Sequence, residues 1–487
     1  MPELTPFFSG IFLSNINHSW MRLIMNELHS MPFEIKILTR VYAAGTFTPV
    51  DIVTEVYRRI QAKSSKGVWV NMVAEEEALK KASLLEKKSI VDFPLYGIPF
   101  SVKDNIHVEG LPTTASCPAF THYPKETATV VKKLLAAGAI LIGKNTMDQF
   151  ATGLVGIRSP EHPVNPFNNE YIPGGSSSGS AVAVSTGMVS FSLGSDTGGS
   201  GRVPAALNNI VGLKPTPGII SSHGMVYANR SFDCVPIFAL TCTDAKTVFD
   251  CLVGYDEKDA FSIGYQETTT AYFADKETFK IGIPCKQQLH FFGDKLAEES
   301  FILSVEKMKA LGATIVEIDF SLFIEAGKMI FDGPFIAERY HSLKDFLMSH
   351  PHDVNAVVAS IVEKAQRYSA TDLCQAYYRL KVLQRDAGEV FEAIDAMMVP
   401  TTGTIYKIKD VKADPVKLNA TMGYYTYYAN VLKLSVLAVP ATIRSDGLPF
   451  GVCFVAGPKQ DAAIMELALK WEHLIDLPKG SFQYSNK

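Results

Sequence analysis

The sequence predicts an α/β protein with a mixed central sheet covered by helices on both faces. Segments with helical periodicity alternate with short apolar runs that are typical of buried strands. Of the 487 residues, 47% are hydrophobic and 20% are charged, which is the composition of a folded globular protein. Large α/β folds use this length as one unit, so a single large domain is expected.

The first clear helix signal lies at Thr48. This residue suits an N-cap, Pro49 suits the first helical position, and Asp51 stands where a capping-box acid is expected. Apolar side chains then recur at helical spacing over residues 52–60. A helix starting at Pro49 is therefore predicted.

Further helices and strands alternate along the first half of the chain. Helices are predicted over residues 75–88 and 127–137, the second ending at Gly138. Short apolar runs, which suit buried strands, follow or flank these helices. They lie at residues 94–102 (PLYGIPFSV), 139–143 (AILIG) and 210–214 (IVGLK).

The second half is more helical. Residues 355–395 are predicted to be helical, followed by strands at 394–400 and 436–443 and a closing helix at 462–475. Residues 276–343 are a candidate for a subdomain that covers the substrate, but no linker separates them cleanly from the rest of the chain. The expected boundaries are an N-terminal extension at residues 1–30, poor in turn and cap signals, a domain at 31–480 and a tail at 481–487.

Charge and cysteine usage exclude several classes of protein. The 46 basic and 50 acidic residues are intermixed, so no field exists of the kind that binds a nucleic acid backbone. No stretch approaches the ~20 apolar residues of a membrane-spanning helix, and no signal peptide is visible. Seven scattered cysteines indicate reduced thiols and a cytoplasmic location.

Residues 174–202 carry the most informative signal. They read GGSSSGSAVAVSTGMVSFSLGSDTGGSGR, two Gly/Ser turns separated by apolar residues that favour burial. Glycines held on a core allow a close backbone approach, and consecutive N–H groups in such turns form an anion-binding concavity. This pattern predicts a catalytic serine loop for acyl transfer.

Other motifs are weaker. Residues 138–145 approach a P-loop but end in Asn, and GSSSG at 175–179 lacks the strand that precedes a nucleophile elbow. His350 and His352 have no third ligand nearby in sequence. Neither a metal nor a cofactor is expected.

A base for the serine loop is found in PLYGIPFSVKDNI, where Lys103 follows an apolar run. Burial penalises the ammonium form, and a neutral amine is a competent general base. From this segment alone, an ordinary surface lysine is the alternative.

Three motifs in order resemble the amidase signature family: the GIPF-x-VKDN segment with Lys103, the GGSS turn at 174–177 and the D-x-GGS-x-R turn at 196–202. The similarity runs from about residue 35 to 475. The resemblance implies a single amidase-signature domain in which Ser200 is the nucleophile, Ser176 a bridging serine held by a cis peptide, and Lys103 the terminal base.

These three residues would form a proton relay. Ser200 needs a base, and Lys103 would accept its proton through Ser176. Two further groups of residues are expected at the site. The backbone N–H groups expected to hold the oxyanion are those of Thr197, Gly198, Gly199 and Ser200. The residues expected to have structural roles are Ser177, Asp196 and Arg202.

Within the family, residues 148–160, 196–216, 231–241 and 333–340 are similar to the amidase domain of allophanate hydrolases. That resemblance implies a small carboxylated urea as the substrate, bound by Arg339. The usual tyrosine eight residues earlier is Phe331 here. Two alternatives follow: low affinity for allophanate, or a different small amide as the substrate.

Other hypotheses remain open. An amidotransferase component that works on charged tRNA would need partner chains, and a catalytically silent scaffold would have no reason to keep Lys103, Ser176 and Ser200 together. The resemblance also implies a C-terminal domain that decarboxylates the first product, and we do not expect that domain within the 487 residues; truncation, a separate protein or unaided decomposition of the product are the alternatives. The expected partner is a small-molecule amide, and apolar helices near the N-terminus leave room for a homodimer.

Overall fold

In the computed structural model, which describes residues 26–62, 66–266 and 272–485, eleven strands form one mixed sheet. The order across the sheet is β1-β3-β2-β4-β6-β5-β10-β11-β9-β7-β8. The strands are β1 Trp69–Met72, β2 Pro99–Lys103, β3 Ile140–Asn145, β4 Phe191–Leu193, β5 Val211–Lys214, β6 Ile237–Ala239, β7 Phe279–Pro284, β8 Ala313–Ile318, β9 Ala396–Pro400, β10 Ser435–Ile443 and β11 Pro449–Ala456. The predicted α/β class with a mixed sheet is confirmed.

The register of β2 and β4 places the key residues. These strands are parallel neighbours, with Val102 opposite Leu193. Since the carboxyl ends of parallel strands lie at the same edge of a sheet, Lys103 at the end of β2 lies beside the segment that follows β4. That segment begins the second Gly/Ser turn.

Helices cover the sheet and connect its strands. They are α1 Ile35–Ala43, α2 Pro49–Ala62, α3 Glu75–Leu85, α4 Thr129–Ala136, α5 Ser178–Ser185, α6 Val203–Leu207, α7 Cys242–Leu252, α8 Lys295–Ala310, α9 Ser321–Phe331, α10 Ile336–Ser349, α11 Ala356–Val362, α12 Ala370–Ala393, α13 Ile408–Ala413, α14 Lys417–Met422, α15 Tyr428–Val431, α16 Asp461–Ile475 and α17 Gly480–Ser485. Short 3₁₀ turns lie at Ile90–Asp92, Pro118–Phe120, Gln149–Ala151, Lys286–Gln288 and Glu363–Arg367.

The predicted start of α2 is confirmed. The Thr48 hydroxyl accepts a hydrogen bond from the Asp51 N–H at 3.3 Å, and the Asp51 carboxylate accepts one from the Thr48 N–H at 2.8 Å. These reciprocal bonds satisfy two N–H groups that the helix end leaves free. The helices predicted at 75–88 and 127–137 are shorter than expected and end at Leu85 and Ala136.

The middle of the chain, residues 276–343, is joined to the rest of the molecule, as the lack of a separating linker predicts. Strand β7 pairs with both β8 and β9, so this segment extends the common sheet. Its helices α9 and α10 nevertheless carry Phe331 and Arg339 to the site described below.

At both ends of the described chain, residues outside the predicted domain boundaries of 31 and 480 are buried. Residues 26–30 are helical and Leu28 is buried, while Phe482 is buried beyond residue 480. Residues 1–25 of the expected extension lie outside the described residues. Among the residues that the structure describes, no helix is both long enough and apolar enough to cross a membrane.

Two glycines give a matched test of this packing. A Cβ on Gly212 in β5 would overlap the Gly201 carbonyl oxygen and lie 2.6 Å from the Ala205 Cβ, whereas one on Gly388 in α12 would meet no atom within 4 Å. We expect Gly212→Ala to lower the free energy of unfolding by about 1 to 3 kcal/mol through overpacking. Gly388→Ala should raise it by about 0.5 to 1 kcal/mol, because alanine favours a helix interior. Denaturant unfolding measures both, and equal effects would contradict the packing.

Candidate active site

Lys103, Ser176 and Ser200 form a continuous hydrogen-bonded chain. The Lys103 Nζ donates to the Ser176 Oγ at 2.7 Å, and the Ser176 hydroxyl donates to the Ser200 Oγ at 2.9 Å. Lys103 and Ser176 are completely buried, and Ser200 is 3% exposed. The structure therefore brings together the three residues that the sequence assigned to one relay.

Ser195 is a further partner of Lys103 that no sequence motif predicts. Lys103 Nζ donates to its Oγ at 2.9 Å and contacts its carbonyl oxygen at 3.3 Å. The Asn105 side-chain amide also donates to the Ser195 Oγ, at 3.2 Å. Ser195 lies one residue before the predicted motif at 196–202. Only the pairing of β2 with β4 reveals its contact with Lys103.

Burial allows Lys103 to be uncharged at neutral pH. Removal from water lowers its pKa to about 7, and the carboxylates of Asp148, Asp196 and Asp233 oppose that shift, whereas Arg339 adds to it. At neutral pH a substantial fraction of the lysine is therefore uncharged. In that form its nitrogen can accept a proton from Ser176.

The bridging serine is held by the turn before α5. The Gly175–Ser176 peptide bond is cis. The Gly175 N–H donates to the Leu154 carbonyl at 2.9 Å, and the Ser176 carbonyl accepts from the Asp148 N–H at 3.0 Å. A Cβ on Gly175 would overlap the Asp148 carboxylate, so the close approach of this turn requires glycine.

Asp196 and Arg202 brace the turn that carries Ser200. The Asp196 carboxylate accepts from the N–H groups of Gly199 and Gly201, each at 2.8 Å, and from the Arg202 guanidinium at 2.9 and 3.0 Å. Burial raises the pKa of Asp196, but Arg202 more than offsets that effect and the pKa lies at about 2. This geometry is the bracing arrangement that the sequence predicted.

The predicted oxyanion donors need one correction. The Gly199 N–H points to Asp196 and is already used, so it is not available to an oxyanion. In the part of the chain that the structure describes, the N–H groups of Thr197, Gly198 and Ser200 have no acceptor. These three remain as candidate donors.

Ser177 has a bonding role in the same region. Its hydroxyl donates to the Ser195 carbonyl at 3.2 Å and ties the two Gly/Ser turns to each other. The Thr197 hydroxyl similarly donates to Asp233 at 2.5 Å. Burial raises the pKa of Asp233 to about 6.

Arg339 is bonded to the turn at residues 150–152 and is only partly free. Its Nη1 donates to the carbonyls of Phe150 and Ala151, at 3.3 and 3.1 Å, and to the Thr152 hydroxyl at 2.6 Å. Among the described residues, its buried Nε and Nη2 atoms have no hydrogen-bond partner. The side chain therefore holds a turn with one nitrogen and presents two others to an anionic ligand.

Phe331 separates this arginine from the nucleophile turn. The Arg339 guanidinium lies 5.2 Å from the centre of the Phe331 ring. A Cβ placed on Gly198 would be 3.6 Å from the Phe331 Cε2. The two substrate-binding residues expected from the sequence are therefore adjacent, and both border the site.

A family model for amidases matches residues 51–465. The chain belongs to the amidase family. Urea amidolyase of Saccharomyces cerevisiae (strain ATCC 204508 / S288c) is 40% identical over 424 residues, which are 86% of this chain and 23% of that protein. The chain thus spans about a quarter of the length of the urea amidolyases it matches.

The fold comparison agrees. The structure of Kluyveromyces lactis allophanate hydrolase matches with a TM-score of 0.86 and 35% identity, covering 91% of this chain and 74% of that one. The A-type component of the glutamyl-tRNA(Gln) amidotransferase of Thermoanaerobacter pseudethanolicus (strain ATCC 33223 / 39E) is 32% identical, covering 92% of this chain and 96% of that protein. The protein is an amidase signature hydrolase that is similar to urea amidolyase and to allophanate hydrolase.

The titration of Lys103 gives a pH prediction. The neutral amine is the form that can accept a proton from Ser176, so we expect kcat/KM to fall as the pH decreases through about 7 and to reach a plateau above it. Lys103→Met should lower kcat/KM by about 10²- to 10⁴-fold at the plateau. Initial rates of amide hydrolysis between pH 5 and 9 measure both effects. A kcat/KM that does not change across neutral pH would contradict the role of Lys103 as the base.

Proposed function

We propose that this amidase hydrolyses allophanate, a small carboxylated urea, through an acyl-enzyme on Ser200. The observation that supports the reaction type is the unbroken chain from Lys103 through Ser176 to Ser200, at 2.7 and 2.9 Å. A serine is a weak nucleophile unless a base takes its proton, and here the base is a buried amine with a pKa of about 7.

In the first step, neutral Lys103 accepts the Ser176 proton while Ser176 accepts the Ser200 proton. The Ser200 Oγ attacks the carbon of the terminal carbamoyl group, and the C=O oxygen becomes an oxyanion. The free N–H groups of Thr197, Gly198 and Ser200 stabilise that oxyanion, each well-placed donor contributing roughly 3 to 4 kcal/mol.

In the second step, the proton returns along the same chain to the terminal nitrogen. The C–N bond breaks, ammonia leaves, and the remaining acyl group stays on Ser200 as an ester. Water then loses a proton to the relay and attacks the ester carbon, which releases a carboxylate and restores the Ser200 hydroxyl. Each turnover consumes one water and releases one ammonia.

Arg339 supports the choice of substrate. Allophanate carries a carboxylate at the end opposite to the amide that is cleaved. Burial lowers the pKa of Arg339 only to about 10, so the guanidinium stays charged at neutral pH. A buried cation with two unused nitrogen atoms favours an anionic ligand over a neutral one.

Two alternative functions are each favoured by a separate observation. Phe331 gives the site an apolar side chain next to Arg339, which favours a different small amide. The similarity to a glutamyl-tRNA(Gln) amidotransferase component over 96% of its length favours ammonia release from glutamine. Both alternatives use the same relay, so substrate comparisons separate them.

Ammonia release from allophanate by the purified protein tests the proposal. We expect steady release, with none above background for Ser200→Ala. Ser180→Ala is the matched control, because its hydroxyl makes only a 3.4 Å contact with the Leu193 carbonyl and should keep most of the activity. Biuret, aliphatic amides and glutamine complete the panel. Faster turnover of any of these than of allophanate would reject the proposed substrate.

A further inference from the structure

Tyr427, which precedes α15, forms a wall of the site together with Phe331. The centres of the two rings are 4.8 Å apart and their planes are inclined by 53°. A Cβ placed on Gly198 would lie 3.0 Å from the Tyr427 Cδ1. The tyrosine ring therefore borders the turn that carries the nucleophile on one side and the Arg339 neighbour Phe331 on the other.

The backbone next to this tyrosine is fixed to the catalytic turn. The Thr426 hydroxyl donates to the Gly198 carbonyl at 2.8 Å, and the Arg202 Nη1 donates to the Thr426 carbonyl at 2.9 Å. Arg202 is the residue that braces Asp196. Any movement of the nucleophile turn thus moves the Tyr427 backbone with it.

The chain makes room for the ring. A Cβ on Gly423 would overlap the far end of the tyrosine ring, and one on Gly327 in α9 would lie 3.1 Å from the Tyr427 Cβ. Glycine at both positions allows the large side chain to lie between the nucleophile turn and α9.

The Tyr427 hydroxyl is held loosely. The Asn419 amide donates to it at 3.3 Å, and it contacts the Asn419 carbonyl at 3.4 Å, well beyond the usual 2.7 to 2.8 Å for an O–H donor. Burial raises the pKa of this phenol, while Arg158 and Arg339 act against that shift. The hydroxyl therefore stays protonated, and two cations, Arg158 and Arg339, and one carboxylate, Asp332, act on it.

Both of those arginines are buried, and among the described residues neither has a carboxylate within 4.0 Å, although Asp148 acts on Arg158 and Asp233 on Arg339 from farther away. Arg158 donates to the carbonyls of Thr152 and Pro415, and its Nε is unused. Together with the two unused nitrogens of Arg339, this leaves three unused buried donors on the two arginines that interact electrostatically with Tyr427. Such an excess is satisfied by a ligand rich in acceptor oxygens.

We propose that Tyr427 is a specificity-determining residue whose hydroxyl donates a hydrogen bond to the substrate carboxylate that Arg339 binds. This inference rests on the proposed function, because it assigns a contact to the carboxylate end of that substrate. The Phe331 ring supports the phenol, and the weak bond to Asn419 is exchanged for one to the charged oxygen.

Binding to a protein that cannot turn over tests this contact. The Ser200→Ala protein is compared with Ser200→Ala/Tyr427→Phe by isothermal titration, using malonamate and its neutral counterpart malonamide as probes. A hydrogen bond to a charged group is lost only with the first probe. We expect the Kd of malonamate to rise about 10- to 100-fold and that of malonamide to change less than threefold.

Tyr424→Phe in the same background is the matched control. Its hydroxyl donates to the Gln288 carbonyl at 3.0 Å, away from Arg339, so neither Kd should change. Thermal unfolding of all three proteins confirms that they fold, since phenylalanine keeps the ring that packs on Phe331. Equal losses for the two probes, or an unchanged malonamate Kd, would overturn the inference.

The two proposals fail separately. Absence of ammonia release from allophanate by the unmodified protein rejects the proposed reaction, whatever Tyr427 does in the titration. Release from allophanate together with an unchanged malonamate Kd in the Tyr427→Phe protein rejects only the hydroxyl contact.

Discussion

The complete burial of Lys103 is the constraint on which the rest of the site depends. A lysine in water is charged at neutral pH and cannot act as a base, so the catalytic arrangement requires that this amine be kept away from solvent. The surrounding acids are arranged accordingly. Asp196 is paired with Arg202, and Asp148 accepts the backbone N–H groups of Gly156 and Arg158, so both acids have partners of their own although both still act on the amine.

Much of the fold could be predicted because the signals are local. Capping at Thr48 and helical periodicity fix α2, and apolar runs that end at Gly or polar turns mark β2, β3 and β5. Strand β11 was missed although all of its residues are buried, since Pro449 and Gly451 weaken a strand pattern. The place of residues 276–343 in the common sheet depends on long-range pairing, which no local pattern reports.

The residues of the site likewise fall into two groups: those that local sequence patterns predict and those that only the fold brings to the site. Lys103, Ser176 and Ser200 stand in motifs whose spacing is legible in the sequence, and the structure places them in one chain of hydrogen bonds. Local patterns do not reveal that Gly199 donates its N–H to Asp196, because this depends on the path of the turn. Tyr427 lies more than 200 residues after the motifs and reaches the site only through the packing of α9 against α15.

One feature of the chain's layout bears on how such enzymes diversify. The proposed relay of Lys103, Ser176 and Ser200 lies between β2 and α6. In contrast, Phe331, Arg339 and Tyr427 belong to segments between α9 and α15. Mutations that alter substrate preference can therefore accumulate in one stretch of a gene while the stretch that encodes the chemistry is preserved. The hydrogen bond between Thr426 and Gly198 joins the two stretches. A mutation at either of these positions would therefore affect both stretches at once.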